Sequence, residues 1–302
     1  MVEKKYLDIL ICLKCGGSLK QKQSLLICSK CKKTYDVIHG IPSLVLGKKG
    51  IDVRLTEDKW GKIYSAQKEK LDLEGQRQLD TFLAFIASFE NIFKKGLYLD
   101  LACGISQTAP YLVKKGVSYI GSDISMEGVR KTKLLIEKNH LKGCLIQADF
   151  LHIPIKNASV DSVFWGQALE YVVDTEKAVR EVHRVLKPGG TIVATFPVLS
   201  LTTLTYQGLR GDIPDIPIMK NFILWLHVSV LRGKYLHYGY GQSLSAKFVE
   251  KMFKKAGFRV EKVDFYDTYY PITFMPEVLK PLARKALRLR PFWPIAYIVA
   301  KK

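Results

Sequence analysis

The chain predicts an α/β fold in which a mainly parallel sheet carries helices on both faces. Three observations lead there. Short apolar runs at 97–101, 117–122, 145–148, 159–165 and 191–196 have the length of buried strands. Helix-patterned stretches separate them, notably 108–115 and 174–186. The order strand, helix, strand repeats, and parallel neighbours need such a crossover. Residues 246–256 and 295–300 add a further helix and a last strand.

With 302 residues, 48% of them hydrophobic, the chain can hold one full core and one small module. We read 1–49 as the module, 50–96 as a linker with N-terminal helices, and 97–302 as the main domain, with an insertion at 198–244 that covers a substrate. No stretch reaches the 18 or so apolar residues of a membrane span, and the N-terminus lacks a secretory pattern. Six cysteines, four of them in two close pairs, suit a reducing compartment. The expected location is cytoplasmic, with peripheral contact at a membrane surface as an alternative. The net charge of +19 is concentrated at the ends, with ten basic against three acidic residues in 1–49 and seventeen against seven in 198–302. Such a field attracts polyanions, either RNA or an anionic membrane surface.

Cys12-Leu-Lys-Cys15 and Cys28-Ser-Lys-Cys31 are two knuckles 12 residues apart. This spacing lets Cys12, Cys15, Cys28 and Cys31 close a tetrahedral structural zinc site, supplying folding energy and not catalysis. Strand-like segments at 6–11 and 24–27 lead into the knuckles, Gly16-Gly17 supplies a turn, and 38–46 closes the unit. Together with Gly40-Ile-Pro-Ser-Leu44, the pattern resembles the small zinc-ribbon partners that activate RNA- and protein-modifying methyltransferases. That resemblance implies a ribbon packed in cis on a methyltransferase domain.

In Leu97-Tyr-Leu-Asp100-Leu-Ala102-Cys-Gly104 an apolar strand ends in a carboxylate and breaks into a small-residue turn before a helix. Small residues allow close backbone approach to a ligand, and the helix start offers N–H groups. The next strand ends in Asp123, placed to accept bonds from ribose hydroxyls. Both NAD and S-adenosylmethionine fit so far. Where a dinucleotide fingerprint has its three glycines, this chain has Ala102, Gly104 and Gln107, which argues against the dinucleotide. Asp149 and Phe150, at the end of the third strand, suit the amine and ring of an adenine.

The run Leu99-Asp-Leu-Ala-Cys-Gly104, Gly121-Ser-Asp123, Ala148-Asp149, Ala168-Leu-Glu-Tyr171 and Glu181-Val-His-Arg-Val-Leu-Lys-Pro-Gly-Gly190 resembles the type-11 branch of class I S-adenosylmethionine-dependent methyltransferases. The resemblance implies a Rossmann-like seven-stranded sheet with an antiparallel last strand. It also implies cofactor contacts at Asp100, Ala102, Gly104, Asp123, Ile124, Asp149, Phe150 and Gln167. Ala102 and Ser106 depart from the glycines usual in that family.

Methyl transfer needs alignment and exclusion of water more than a dedicated catalyst, and no catalytic residue is singled out. Phe164-Trp-Gly-Gln-Ala168 lacks the Asn-Pro-Pro-Tyr-like element that holds amides or adenine amines, and no Pro-Cys nucleophile follows the fourth strand. Glu170, Tyr171, His237, Tyr238 and Tyr240 are candidates for the acceptor side. The ribbon favours an O or N acceptor on RNA; the aromatic insertion favours a lipid, quinone or glycan precursor. A non-catalytic protein that keeps the fold to bind RNA or a partner is the reading from another class, and an NAD-linked oxidoreductase is a third. The basic stretch 280–290 is patterned as a short amphipathic helix.

Overall fold

Strand-forming runs and helix patterns sort themselves around one sheet in the computed structural model, which describes residues 2–46, 53–66, 73–94, 96–172, 174–198, 244–266, 277–293 and 295–302. The first part holds a helical turn α1 (Lys4–Leu7) and strands β1 (Leu19–Lys22), β2 (Leu25–Cys28), β3 (Thr34–Ile38) and β4 (Ile41–Leu44). Helices α2 (Val53–Ala66), α3 (Leu73–Ala87) and α4 (Glu90–Phe93) come next. Then follow β5 (Leu97–Leu101), α5 (Thr108–Lys114), β6 (Ser118–Asp123), α6 (Met126–Lys138), β7 (Cys144–Ala148), β8 (Val160–Gly166), α7 (Thr175–Val185) and β9 (Leu186–Pro197). The chain ends with α8 (Ala246–Lys255), β10 (Arg259–Tyr266), α9 (Lys280–Leu287) and β11 (Ile295–Lys301).

The sheet order is β1-β2-β3-β4-β7-β6-β5-β8-β9-β11-β10. From β4 to β9 the neighbours are parallel, and β11 runs antiparallel to both β9 and β10. Residues 97–302 supply seven of the strands, β5 to β11, with β11 antiparallel, and the sheet runs on to eleven because the N-terminal module adds β1 to β4. Its β4 pairs with β7 through Ser43 and Leu44, opposite Gln147 and Ala148.

Period-two alternation sends successive side chains to two cores. Leu99, Leu101, Ile120, Val163, Trp165 and Ala194 face one, which also takes the inward residues of α7 and α8 and the N-terminal Tyr6, Leu10 and Leu26. Tyr98, Tyr119, Phe164 and Val193 face the other, with Ile86, Phe93, Leu112 and Val129 from the helices. The shared first core is why the N-terminal residues fold onto the sheet: their apolar side chains have no sufficient core of their own.

Two local expectations also change. Residues 6–11 are not a strand: Tyr6 is buried from a helical turn, and only Leu10 and Ile11 make isolated bridges, to Ile155 and Ser18. The break expected at Leu186-Lys-Pro-Gly-Gly190 is instead a bulge within a longer strand, with the register slipping between Val160 opposite Leu186 and Ser162 opposite Thr191. Gly189 has φ +77°, and a Cβ on Gly190 would lie 2.8 Å from the Lys187 carbonyl oxygen. Lys187 Nζ then donates to both oxygens of Asp161, at 2.9 and 2.8 Å, which holds the bulge.

The chain turns back between β5 and β8, after winding outward through β6 and β7. Such a reversal opens a crevice beyond the carboxyl ends of the strands.

Candidate active site and metal centre

Beyond β5 the turn Ala102-Cys-Gly104 is left-handed at both ends, with φ +56° at Ala102 and +50° at Gly104. A non-glycine residue there is strained, and the turn is pinned accordingly. Asp100 Oδ2 accepts from Ser106 Oγ and from Tyr119 Oη, both at 2.8 Å. Ser106 N–H donates to Thr132 Oγ1 at 2.8 Å, and that hydroxyl donates to the Gly104 carbonyl at 2.7 Å. Ser106 Oγ also accepts from Ala109 N–H at 3.1 Å. Ser106, where the resemblance led one to expect glycine, thus braces the turn and accepts from the first turn of α5.

Asp123 ties the second strand to the same turn. One oxygen accepts from Gly104 N–H and the other from Ser125 N–H, each at 2.8 Å. Burial pushes both Asp100 and Asp123 up to about 6, against the hydrogen bonds that favour their ionised forms.

The crevice is a cavity of about 510 Å³. All eight residues expected at the cofactor line it. Asp149 accepts from Leu151 N–H at 2.8 Å, Phe150 packs 5.6 Å from the Trp165 ring, and Gln167, at φ +47°, donates its N–H to Thr195 Oγ1 at 3.1 Å. Glu170 and Tyr171 line the same cavity. Glu170 is 4% exposed, its Oε2 has no partner among the described residues, and burial pushes it up to about 8. His237, Tyr238 and Tyr240 lie outside the described residues, as does the insertion from 199 to 243.

The reading of 50–96 as linker and helices missed a wall of the site. Trp60 and Tyr64 of α2 and Leu79 and Phe82 of α3 all line the cavity. Trp60 stacks on Tyr64 at 5.7 Å and meets the Tyr171 ring edge-on at 5.2 Å. Tyr64 lies so close over the turn that a Cβ on Gly104 would come 2.5 Å from its Oη, and one on Gly128 2.9 Å from its ring. The signal available in the sequence was an aromatic pair spaced four residues apart, which shares one helix face. Replacing Gly104 by alanine is expected to push Tyr64 aside and weaken ligand binding in the cavity about tenfold, read by calorimetry.

One brace reaches the cavity from the N-terminal module. Ser43 Oγ donates to Gln147 Oε1 at 2.7 Å, and Gln147 Nε2 donates to the carbonyl of Ile124 at 3.0 Å, next to Asp123. Ser43→Ala is therefore expected to weaken cofactor binding about two- to tenfold with little change in melting temperature, the scale of one lost hydrogen bond.

The four knuckle cysteines come together. Their sulfur atoms all lie within 4.8 Å of one another, with Cys12 to Cys31 at 3.6 Å and Cys15 to Cys28 at 3.5 Å. Zinc–sulfur bonds of about 2.3 Å in a tetrahedron put sulfurs about 3.8 Å apart, so the set fits zinc. Each knuckle closes with a left-handed residue after its second cysteine, Gly16 at φ +68° and Lys32 at +61°. Cys31 N–H points at Cys28 Sγ, 3.5 Å away, and Tyr35 Oη sits 3.3 Å from Cys12 Sγ while accepting from Leu13 N–H. Gly17 is required for space, since a Cβ there would lie 2.9 Å from Cys28 Sγ.

With this geometry, the family model described as a methyltransferase domain matches residues 99–194, from β5 to β9. Over these residues, less than half of the chain, the protein is similar to that family. Among curated relatives, the chloroplastic 2-phytyl-1,4-beta-naphthoquinone methyltransferase of Arabidopsis thaliana is 30% identical over 175 residues, 55% of this chain and 65% of that protein. A demethylmenaquinone methyltransferase of Lactobacillus johnsonii is 29% identical over 174 residues, 53% of this chain and 67% of that protein. The chain thus spans less than two thirds of the first relative's length. The chain is also similar in fold to a chain from a Haloferax volcanii complex of a methyltransferase activator with a candidate methyltransferase. The TM-score is 0.53 at 18% identity, covering 83% of this chain and 97% of that one.

Proposed function

We propose that the chain binds S-adenosylmethionine in the crevice beyond β5 and transfers its methyl group to the hydroxyl of a small apolar, aromatic acceptor. The single observation that carries the acceptor class is the lining of the cavity. Trp60, Leu79, Phe82, Phe164 and Tyr171 line it together with one buried carboxyl, Glu170, whose Oε2 has no partner among the described residues. An apolar wall with one convergent polar group recognises a ring bearing an acidic hydrogen better than a solvated polymer. The curated relatives named for quinone substrates support the apolar ring of the acceptor, and the hydroxyl rests on Glu170 alone.

Asp123 would hold the ribose hydroxyls, Asp149 and Phe150 the adenine, and the Ala102 to Gly104 turn the amino-acid end, with Ile124 and Gln167 bordering it. Asp100 braces the turn through Ser106. When bound, the cofactor supplies a methyl group already activated by its sulfonium, leaving the protein to align the acceptor, exclude water and take a proton. Trp60 and Tyr64 cover the crevice and keep water out. Glu170 would take the acceptor's hydroxyl proton on Oε2. Burial pushes Glu170 up to about 8, so the ionised form that accepts the proton grows as pH rises through that value, and transfer should rise with it. Cys12, Cys15, Cys28 and Cys31 would hold a structural zinc, which contributes folding energy to 1–49 and has no part in the transfer.

The test is transfer of tritiated methyl groups from S-adenosylmethionine into lipid, RNA and protein fractions of a cell extract. Label is expected in the lipid fraction, and Glu170→Gln is expected to lower it about 10²- to 10⁴-fold, with affinity for S-adenosylhomocysteine unchanged. Label in RNA would restore the polyanion reading that the charge and the ribbon suggest. No label in any fraction, with cofactor bound, would favour a non-catalytic protein.

A further inference from the structure

The C-terminal segment from Glu277 to Trp293 holds four of the chain's exposed large apolar residues among the described ones. Val278 is 83% exposed, Leu282 69%, Leu289 58% and Leu279 45%. Val278 lies in the turn before α9, Leu282 on the helix and Leu289 in the extended link after it, an exposed apolar series along the segment. Ala283 and Leu287 are half-buried against the protein. The segment is therefore seated through some of its apolar residues and shows the others as an outer stripe to solvent. Five basic residues, Lys280, Arg284, Lys285, Arg288 and Arg290, accompany that outer stripe against one acidic residue, Glu277. Lys280 pairs with Glu277, and Arg290 donates to Asp264 at 3.1 Å. Lys285 and Arg288 are exposed beside the outer leucines.

We propose that this segment is a membrane-docking surface, with Val278, Leu282 and Leu289 entering the headgroup boundary of an anionic bilayer and Lys285 and Arg288 meeting its phosphates. Charge complementarity alone would serve RNA equally. The exposed leucines decide between the two, because a phosphate backbone gives them nothing to bury against, whereas an acyl boundary removes them from water. Surface attraction and apolar insertion act together, each too weak to hold the protein alone. No described helix is long and apolar enough to cross a membrane, so the contact is made from one face. This surface is separate from the cavity and does not depend on the acceptor assigned there, although an acceptor dissolved in lipid would be met at such a surface.

Sedimentation of the full chain with phosphatidylcholine vesicles, with and without phosphatidylglycerol, tests it, alongside binding to bulk transfer RNA. Binding is expected only where phosphatidylglycerol is present, and it should weaken with salt. The double change Leu282→Asp and Leu289→Asp should lower the vesicle affinity about tenfold or more. Lys285→Ser with Arg288→Ser should lower it about as much. Melting temperature and S-adenosylhomocysteine affinity should be unchanged in both, since these side chains are exposed and none of them lines the cavity. Equal binding by the leucine variant, no binding to the anionic vesicles, or binding only to the RNA would each overturn the proposal.

Discussion

Asp123→Ala is expected to weaken S-adenosylmethionine binding about 10- to 10³-fold. The carboxylate would accept charge-assisted bonds from ribose, worth about 1.5–3 kcal/mol. It also holds Gly104 N–H and Ser125 N–H, so its loss leaves two donors unanswered at the turn itself. Calorimetry reads both effects as affinity, and unchanged affinity would refute the cofactor assignment. The same residue predicts a pH dependence. Burial places Asp123 up to about 6 in the ligand-free protein. Binding to the ionised form is then fully present above that value and is lost as pH falls through it, at most about tenfold per pH unit. Asp123→Asn should bind weakly throughout and lose this slope, whereas a slope kept in that variant would assign the titration to Asp100 or another group.

Cys28→Ser is expected to release zinc and to lower the stability of more than residues 1–49. A ribbon of four short strands has little core of its own, and structural zinc can supply about 10 kcal/mol or more of folding free energy to small modules. Here β4 is also an interior strand of the eleven-stranded sheet, and Tyr6, Leu10 and Leu26 share a core with Trp165 and Val182. Loss of the metal should therefore lower the melting temperature of the whole chain and reduce cofactor affinity through Ser43, Gln147 and Ile124. Metal analysis with thermal unfolding checks this. Full zinc content in the variant, or a melting temperature equal to wild type, would contradict it.

The parts legible from sequence are those in which local chemistry suffices. Knuckle spacing brings the four thiols together because each turn is built within a few residues, and the turn after Leu101 declares itself through small residues after an apolar strand. The parts not legible are long-range. Nothing local in Ser43 tells that it will lie beside Gln147, 104 residues away, and without that pairing the ribbon reads as a separate unit. Nothing local in Trp60 and Tyr64, within the stretch read as linker and helices, tells that α2 will lie over Gly104 and Gly128. Residues 6–11 mislead for another reason: their apolar side chains serve a core through a helical turn, and a short apolar run does not tell which backbone delivers it. Ser106 looked like a loss at a glycine site and is instead a hydrogen-bonding brace, which only the positions of Asp100 and Thr132 reveal.

The central claim is that the crevice beyond β5 is built for S-adenosylmethionine. Calorimetric titration of the full chain with S-adenosylmethionine, repeated in the presence of S-adenosylhomocysteine and with NADH in its place, measures it most directly. The account predicts one site per chain, competition by S-adenosylhomocysteine, and no heat from NADH. Binding of NADH in the same site, or no binding of S-adenosylmethionine by a folded, zinc-loaded chain, would contradict it.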